Sequence, residues 1–380
     1  MKLNKDIKNT NMDYTKKSLI SILIFLCLVS CNNHKKTAIS LGEVKFYKEF
    51  PREITLEEIS DVFTDEMGLT SIKVLKDYII LSHGSHWSIY SKDNLKKVND
   101  ILSIGQGPNE FLSVPYASAC LYLTKDNDST YCYMRDEMKH RIVELNITKA
   151  IEGDVTLIPS LENESISSST WDITPLAPGE ALLHEPYDGY TGFKRLYLST
   201  DTLYEVPSTL KLSEAKVKDE DDINYLVKTA RYNPSKNKII EAMRRFNQLN
   251  IYSIDKDWGV TVCIGDRLDN VENIVSPNMI TGRNEAYKSC TAWDDTFGAI
   301  YTGASEFEIN SGLKNTSEIQ IFDWDGNPLA RISFNRRIVG FDCDFDKYIL
   351  YAIDGNEDKI IEYDISDYMD IFNRPDKGDA

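Results

Sequence analysis

Four of the five histidines and several arginines stand in short polar segments between apolar runs. Imidazole exchanges protons near neutral pH, and the planar guanidinium of arginine binds carboxylates through paired hydrogen bonds. Tyrosine beside such residues can stack on a sugar ring or on peptide. These segments therefore carry candidate recognition chemistry, and the candidate residues are His83, His86, Arg135, His140, His184, Tyr187, Tyr190, Arg244 and Arg245.

Familiar catalytic motifs are absent from the sequence. The chain contains no GxSxG, HExxH, CxxC or GxxxxGK, so hydrolase-elbow, zincin, dithiol-redox and P-loop functions have no support. The pair His83 and His86 supplies only two imidazoles, and further metal ligands would have to come from other parts of the chain. We predict no metal and no cofactor.

The string Phe341–Tyr348 (FDCDFDKY) spaces three aspartates like calcium ligands. An EF-hand would need Gly at position 347 and Glu at 353, where the chain has Lys347 and Ile353. We interpret the string as a solvated hairpin turn after an inner strand.

The elements that would position the candidate residues are short antiparallel strands. Between residues 317 and 366, five runs rich in Ile, Phe, Tyr and Val are each broken by Asp, Asn, Gly or Lys. Such runs predict strands joined by tight turns, and Asp325-Gly326-Asn327-Pro328 is the clearest turn. The same pattern fills the chain upstream, so the sequence predicts an all-β protein.

The predicted strands group into units of four, except that the last unit has three. The units span residues 69–104, 118–159, 169–207, 226–265, 287–334 and 338–365. This period favours a six-bladed β-propeller over the main alternative, a two-sheet sandwich, which strand spacing alone does not exclude. The alternating segment Glu43–Phe50 is predicted to supply the missing outer strand and to close the last blade.

In a propeller, the loops between the second and third strands of every blade lie on one face, around the mouth of the central channel. The nine candidate residues fall in these loops of four consecutive units. They would gather on one face of an otherwise acidic protein and form a polar recognition surface. The alternative interpretation is that the loops are polar only for solvation.

The first 31 residues have the features of a targeting signal. A segment with five lysines precedes the apolar run Ser18–Val29, which is too short to span a bilayer as a helix. Leu28-Val29-Ser30-Cys31 resembles a bacterial lipobox, although an ordinary secretory signal with an incidental cysteine is the alternative. We predict a signal peptide at residues 1–30, lipidation at Cys31, a flexible tether at residues 31–42 and the propeller at residues 43–380.

Composition agrees with an extracytoplasmic globular protein. The formal net charge of −17 disfavours binding to nucleic acid, which needs clustered cations. A hydrophobic content of 42% is ample for a core. Beyond Cys31 an odd number of cysteines remains, so no disulfide framework is implied. Cys120 and Cys132 could face each other across a hairpin, or they could stay an unpaired buried pair.

Three motifs together resemble a known family: the lipobox, Gly105–Phe111 (GQGPNEF) and Phe322–Pro328 (FDWDGNP). They look like the TolB-like six-bladed β-propeller lipoproteins of Bacteroidetes, and the resemblance covers most of the mature chain. It implies a fold and an envelope location, but no reaction. From the residues alone, GQGPNEF shapes the chain where it leaves the first unit, and Phe111 packs between blades. It does not fit a nucleotide-binding loop, because Glu110 stands at the third glycine position.

The sequence therefore predicts a lipid-anchored, monomeric envelope protein whose loop face binds a protein partner or an envelope glycan without catalysis. The alternative is a lyase or hydrolase that acts on glycan or peptide at the channel mouth, with His and Glu as acid and base. Cys31 is followed by Asn32–Lys36 without an acidic cluster. We therefore expect an outer-membrane lipoprotein that faces the periplasm rather than the cell surface.

Overall fold

Each blade of the protein is a small twisted sheet whose strands follow one another along the chain. The computed structural model describes residues 38–63, 67–125, 129–161, 166–167, 170–187, 190–214, 226–275 and 284–372. The strands form six sheets of four or five strands each. The innermost parts of neighbouring sheets contact each other, including the last sheet against the first, so the sheets close into a β-propeller around a central channel. The predicted fold class is confirmed.

The N-terminal segment contributes three strands before the first blade, β1 (Glu43–Tyr47), β2 (Glu53–Ile54) and β3 (Glu58–Phe63). The strands of blades 1 to 3 follow in order as β4 (Ser71–Val74), β5 (Tyr78–Ser82), β6 (Trp87–Ser91) and β7 (Lys97–Ile101); β8 (Leu121–Lys125), β9 (Ser129–Asp136), β10 (Arg141–Asn146) and β11 (Leu157–Leu161); and β12 (Asp172–Ala177), β13 (Glu180–Tyr187), β14 (Tyr190–Leu198) and β15 (Leu203–Glu205).

The strands of blades 4 to 6 are β16 (Lys228–Asn233), β17 (Lys238–Met243), β18 (Gln248–Ser253) and β19 (Gly259–Ile264); β20 (Asn284–Ala292), β21 (Thr296–Ser305), β22 (Ser317–Asp323) and β23 (Pro328–Phe334); and β24 (Ile338–Asp344), β25 (Ile349–Asp354) and β26 (Lys359–Asp364). Short helices connect strands at α1 (Ile147–Ile151), α2 (Val271–Val275), α3 (Glu306–Asn310) and α4 (Met369–Phe372), with 3-10 turns at Ala117–Ala119, Pro207–Glu214 and Ser366–Tyr368. No helix in these ranges is long and apolar enough to cross a membrane.

Packing between blades explains why the middle strands are apolar on both faces. All six residues of β18 are buried, because blade 4 lies between two other blades. The outer strand β7 has no blade on its far side, and three of its five residues are exposed. Burial of Ile, Val and aromatic side chains between blades supplies the main stabilising free energy of the fold.

The N-terminal segment wraps around three consecutive blades and corrects one prediction. Strand β3 pairs antiparallel with β26 and closes blade 6, whereas Glu43–Tyr47 pairs in parallel with β19 of blade 4. The short strand β2 pairs in parallel with β23 of blade 5. The assignment of Glu43–Phe50 as the closing strand is therefore wrong. The closing strand has to lie directly before β4 in the chain, because it must end beside the start of blade 1.

The GQGPNEF segment has the structural role that its residues predict. Phe111 is fully buried in a cluster that also contains Trp87 of blade 1 and Met134 of blade 2. The carboxylate of Glu110 accepts a hydrogen bond of 2.7 Å from the backbone N–H of Gly107. A Cβ at Gly105 would lie only 2.0 Å from that carboxylate, so a larger residue would displace the Glu110 side chain from its place in this turn.

All five cysteines within the described ranges carry free thiols. Cys132 is buried and Cys120 is partly exposed beside the channel. Their hairpin therefore holds an unpaired pair.

Candidate functional site

A cavity of about 880 Å³ occupies the mouth of the central channel. Its wall includes the starts of inner strands and loops between second and third strands, which lie on one face because successive strands run antiparallel. We call this side the loop face. All six blades contribute, and the volume matches sites that hold small ligands.

The cavity is cationic although the protein is strongly acidic. Three carboxylates line it, those of Glu137, Asp172 and Asp358. Twice as many cationic side chains do so, namely Arg135, Lys228, Arg231, Arg244, Lys288 and Arg337. A concave, partly desolvated wall focuses such charge and attracts anions.

Arg231 forms the floor of the cavity and is the residue that defines the site. Its Nη2 crosses the channel from blade 4 and donates to Ser118 Oγ of blade 2 at 2.9 Å, and its Nη1 donates to the Ala230 carbonyl at 2.7 Å. The residue is 9% exposed, and its Nε has no hydrogen-bond partner among the described residues. Within those residues, no carboxylate lies within the 4.0 Å of an ion pair. Burial lowers the pKa of Arg231.

Beyond Arg231 the channel continues into a second, smaller cavity of about 60 Å³. Here Lys73 and the buried Asp342 form an ion pair of 2.8 Å. Arg231 also borders this cavity, so its side chain separates the two parts of the channel. Lys73 and Asp342 are in ion-pair contact, whereas the Arg231 guanidinium, which Asp342 attracts at longer range, has no carboxylate within 4.0 Å among the described residues.

Asp172 joins two cations of the cavity wall. Its carboxylate accepts a hydrogen bond from Arg135, and the Lys228 Nζ lies 3.9 Å from its Oδ2. The Lys228 side chain is 4% exposed. Burial, with the added charge of Arg195 and Arg135, lowers the pKa of Lys228 to about 8. Its amine therefore changes charge just above neutral pH.

Behind this wall a fully buried carboxylate, that of Glu241, holds blades 3 and 4 together. It accepts hydrogen bonds from His184 Nε2 at 2.9 Å, Arg195 Nη2 at 2.9 Å and Tyr252 Oη at 2.8 Å. Burial alone would raise the pKa of Glu241, but Arg195 and Lys228 hold it well below its usual range. Glu241 therefore stays ionised, and the network serves to hold the blades rather than to meet a ligand.

Two of the sequence-predicted residues, Arg135 and Arg244, line the cavity. Arg244 donates to the buried Glu285 at 2.6 Å, so its charge is already paired. The Arg245 side chain is 9% exposed and pairs with Glu306 at 2.7 Å. Its assignment to an exposed surface is thus wrong, because α3 of blade 5 covers it.

The histidines do not form one surface. His184 is fully buried, since β13 continues past it to Tyr187, and burial lowers its pKa to about 3. The rings of His83 and His86 stack on each other at 4.5 Å, with His83 3% exposed. The backbone of His140 turns at a positive φ of 47°. The predicted placement of His184 on an exposed loop surface is therefore wrong.

Both candidate tyrosines lie at strand ends in blade 3. Tyr187 ends β13 and Tyr190 begins β14, and the side chains of both lie outside the described part of the structure. Cys31 lies outside the described residues altogether. These assignments stay predictions.

Sequence reasoning missed most of the cavity. The sequence pattern points only to loops between second and third strands, whereas Lys228, Lys288 and Arg337 lie at or just before inner strands. The sequence did contain one indication of the site, since the charged Arg231 lies within a predicted inner strand.

The aspartates of the calcium-like string do not form a solvated turn as a group. Asp342 and Asp344 are buried in β24, where they pair with Lys73 and Lys92 at 2.8 Å each. Asp342 also accepts from the indole N–H of Trp293. Over the described ranges, no group of three or more His, Cys, Asp or Glu side chains is placed to hold a metal ion.

The fold and the cavity define a six-bladed propeller with a cationic channel mouth. No known family and no curated protein matches the chain. Solved structures with a similar fold include a member of the DUF4221 family from Bacteroides vulgatus, at 13% identity and a TM-score of 0.48 over 87% of this chain and 98% of that one.

Two further similar structures come from a fungus and from another bacterium. Chaetomium thermophilum Raptor matches at 13% identity and a TM-score of 0.45, over 84% of this chain and 29% of that one. The calcium-binding protein regucalcin from Agrobacterium tumefaciens matches at 9% identity and a TM-score of 0.42, over 86% of this chain and 96% of that one. The TolB-like resemblance stays a prediction.

Proposed function

We propose that this protein is a non-catalytic binding module whose ligand inserts an anionic group into the channel mouth, where Arg231 receives it. The observation that supports this is a buried guanidinium with no carboxylate in ion-pair range among the described residues. Burying a charge without a counter-ion costs several kcal/mol, and an incoming carboxylate, sulfate or phosphate would offset that cost. The remaining cations of the cavity favour the same kind of group.

The partner proposed from sequence, a protein or an envelope glycan, is compatible with this site. Met67, Leu112, Tyr116, Trp171 and Phe307 lie in segments of the loop face and are between 41% and 86% exposed. Exposed apolar side chains of this size offer contact area beside the charged centre and are typical of surfaces that bind a partner. A ligand larger than a single ion would contact both the cationic cavity and these apolar side chains.

The proposed setting is the cell envelope, with the propeller tethered through lipid at Cys31 and facing the periplasm. This part rests on the basic segment, the apolar run and the lipobox-like sequence within residues 1–31. Tethering would raise the local concentration of the module beside its partner, so high intrinsic affinity would not be required.

A lyase is the second candidate, and one observation favours it. Lys228 lies in the cavity wall, and its pKa of about 8 leaves part of the amine neutral near physiological pH. In the cavity that Arg231 also lines, a neutral Lys228 amine would take the C5 proton of a uronate whose carboxylate is held there. The C4–C5 double bond then forms as the C4–O bond breaks, and the leaving oxygen takes a proton from solvent. Release of an unsaturated product from a uronate-containing glycan, followed by its absorbance, tests this candidate.

Calorimetric titration of the full-length protein in detergent with citrate tests the binding proposal. We expect the wild type to bind and Arg231→Met to lose at least about tenfold in affinity, since a charged hydrogen bond contributes ~1.5–3 kcal/mol. Arg52→Met is the matched control, because Arg52 pairs with Asp370 outside the cavity. Equal affinity of the wild type and Arg231→Met would overturn the proposal.

A further inference from the structure

Two aromatic side chains stand at the rim of the cationic cavity. Tyr116 is 55% exposed and Trp171 is 45% exposed, and both line the cavity. Tyr116 precedes the inner strand of blade 2, and Trp171 directly precedes that of blade 3. The two rings thus belong to neighbouring blades.

The backbone holds both residues in place. The Tyr116 carbonyl accepts a hydrogen bond of 2.9 Å from Ala119 N–H, and the adjacent Pro115 carbonyl accepts one of 2.7 Å from the indole of the buried Trp87. Trp171 N–H donates to the His184 carbonyl at 2.8 Å. Rigid supports lower the entropy lost when a ligand packs against these residues.

Besides its cationic side chains, the cavity is lined by polar side chains that carry no charge. Seven of the cavity-lining residues are serine or threonine. Hydroxyl groups donate and accept, so they pair with sugar hydroxyls, while flat aromatic faces pack against the C–H face of a pyranose ring. A neutral sugar would leave Arg231 without a counter-ion. An acidic peptide would make little use of a cavity lined with hydroxyls.

We propose that the channel mouth takes an acidic oligosaccharide of the uronate class, with a ring stacked on Trp171 and a carboxylate placed on the Arg231 guanidinium. This inference rests on the proposed anion-binding function and names its ligand class. Asp172 follows Trp171 in the chain and pairs with Arg135, so a sugar hydroxyl beside the indole would meet a fixed acceptor and a fixed donor.

Titrations of the full-length protein in detergent with four probes test the inference. The probes are a trigalacturonate, the same trimer with its carboxylates methyl-esterified, citrate and an oligoglutamate peptide. We expect the trigalacturonate to bind most tightly and its ester to bind at least about tenfold more weakly, because the ester carries no charge for Arg231.

Two tryptophan variants separate ring stacking from charge. Trp171→Ala should weaken trigalacturonate by about tenfold and leave citrate unchanged, since citrate has no ring to stack. Trp258→Ala is the matched control, because Trp258 follows the third strand of blade 4 and lies on the opposite side from the loop face. It should change neither affinity.

Each alternative result has a distinct meaning. If citrate and trigalacturonate bind equally well and Trp171→Ala changes neither, the sugar inference fails while anion binding stands. If oligoglutamate binds most tightly, the ligand class is an acidic peptide and the inference is wrong. If no anionic probe binds, the proposed function fails with it.

Discussion

Arg231 of blade 4 donates a hydrogen bond of 2.9 Å to the hydroxyl of Ser118 in blade 2, across the central channel. The contact fixes a cation where two cavities meet, with no carboxylate in ion-pair range among the described residues. A site that holds its charge in place before the ligand arrives loses little entropy on binding. Such a site also stores a destabilising charge in the free protein.

The first prediction concerns that stored cost. Arg231→Met should raise the free energy of unfolding by about 1–2 kcal/mol, because a side chain of similar length without charge replaces a buried unpaired cation. Urea denaturation followed by fluorescence measures the change. Lys73→Met is the contrasting variant, since Lys73 pairs with the buried Asp342 at 2.8 Å, and it should lower stability by about 3 kcal/mol. Equal destabilisation by both variants would show that Arg231 stabilises the fold.

The second prediction concerns the pH dependence of anion binding. Lys228 has a pKa of about 8 and loses its charge as pH rises through that value. Citrate affinity should therefore fall by about fivefold, or ~1 kcal/mol, between pH 7 and pH 9. The charged or titratable groups around Lys228 are Asp172, Glu241, His184, Arg195 and Arg135. In Lys228→Arg the charge persists, so its affinity should stay flat; a decline as steep as that of the wild type would assign the effect to another group.

The third prediction concerns stability in mild acid. In the folded protein His184 has a pKa of about 3, below the ordinary value of 6.5, because it is buried. The unfolded chain therefore binds a proton first, and stability present above pH 6.5 is lost as pH falls. One proton gives a slope that rises toward about 1.4 kcal/mol per pH unit as pH falls from 6.5 to 5, above the range where ordinary carboxylates titrate.

A pair of variants isolates this slope in denaturation midpoints. His184→Gln can still donate to Glu241 but does not titrate, so the slope should shrink. His140→Gln, in the turn after β9, should keep the slope of the wild type. A wild type that is equally stable at pH 6.5 and pH 5 would contradict the assignment.

The fourth prediction concerns the N-terminal strands. Deleting residues 32–64 removes β3, exposes the backbone edge of β26 and takes Asp61 from the nearly buried Lys359, which it contacts at 2.7 Å. We expect several kcal/mol of lost stability and aggregation on size-exclusion chromatography. Deleting residues 32–48 removes β1 and the buried Ile39 and Leu41 but leaves β3 on blade 6, so this shorter deletion should cost some stability and remain monomeric. Similar behaviour of both deletions would mean that blade 6 does not need its outer strand.

Much of the fold could be predicted because short apolar runs and turns repeat with a fixed period. What failed was assigning the terminal strand to a blade. Glu43–Tyr47 alternates clearly, whereas β3 (EISDVF) carries Glu58 and Asp61 at positions that pair with Arg336 and Lys359. Because of these two charges the segment does not look like a strand in the sequence, where its cationic partners on blade 6 are not apparent. Alternation indicates a strand with one buried face, but not which blade the strand joins.

The site was harder to predict from sequence than the fold. Whether a charged side chain pairs inside the protein or faces a cavity depends on how deeply it is buried. His184 and Arg231 both read as polar residues, yet one is tied into a carboxylate network and the other borders a cavity. Arg244 and Arg245 look alike in sequence, but only Arg244 lines the cavity. Such differences depend on residues from other blades, which spacing within one unit does not reveal.

The wrapping N-terminal segment also sets the order in which the molecule can be completed. The contact between Asp61 and Lys359 spans 298 residues, so a strand made early in synthesis waits until the last blade emerges. Until then β3 has no partner, and the ring stays open at blade 6. Closure over so long a chain segment is slow. A cell that makes this protein must therefore protect an unpaired strand for nearly the whole time of synthesis, or hold the chain extended until it is complete.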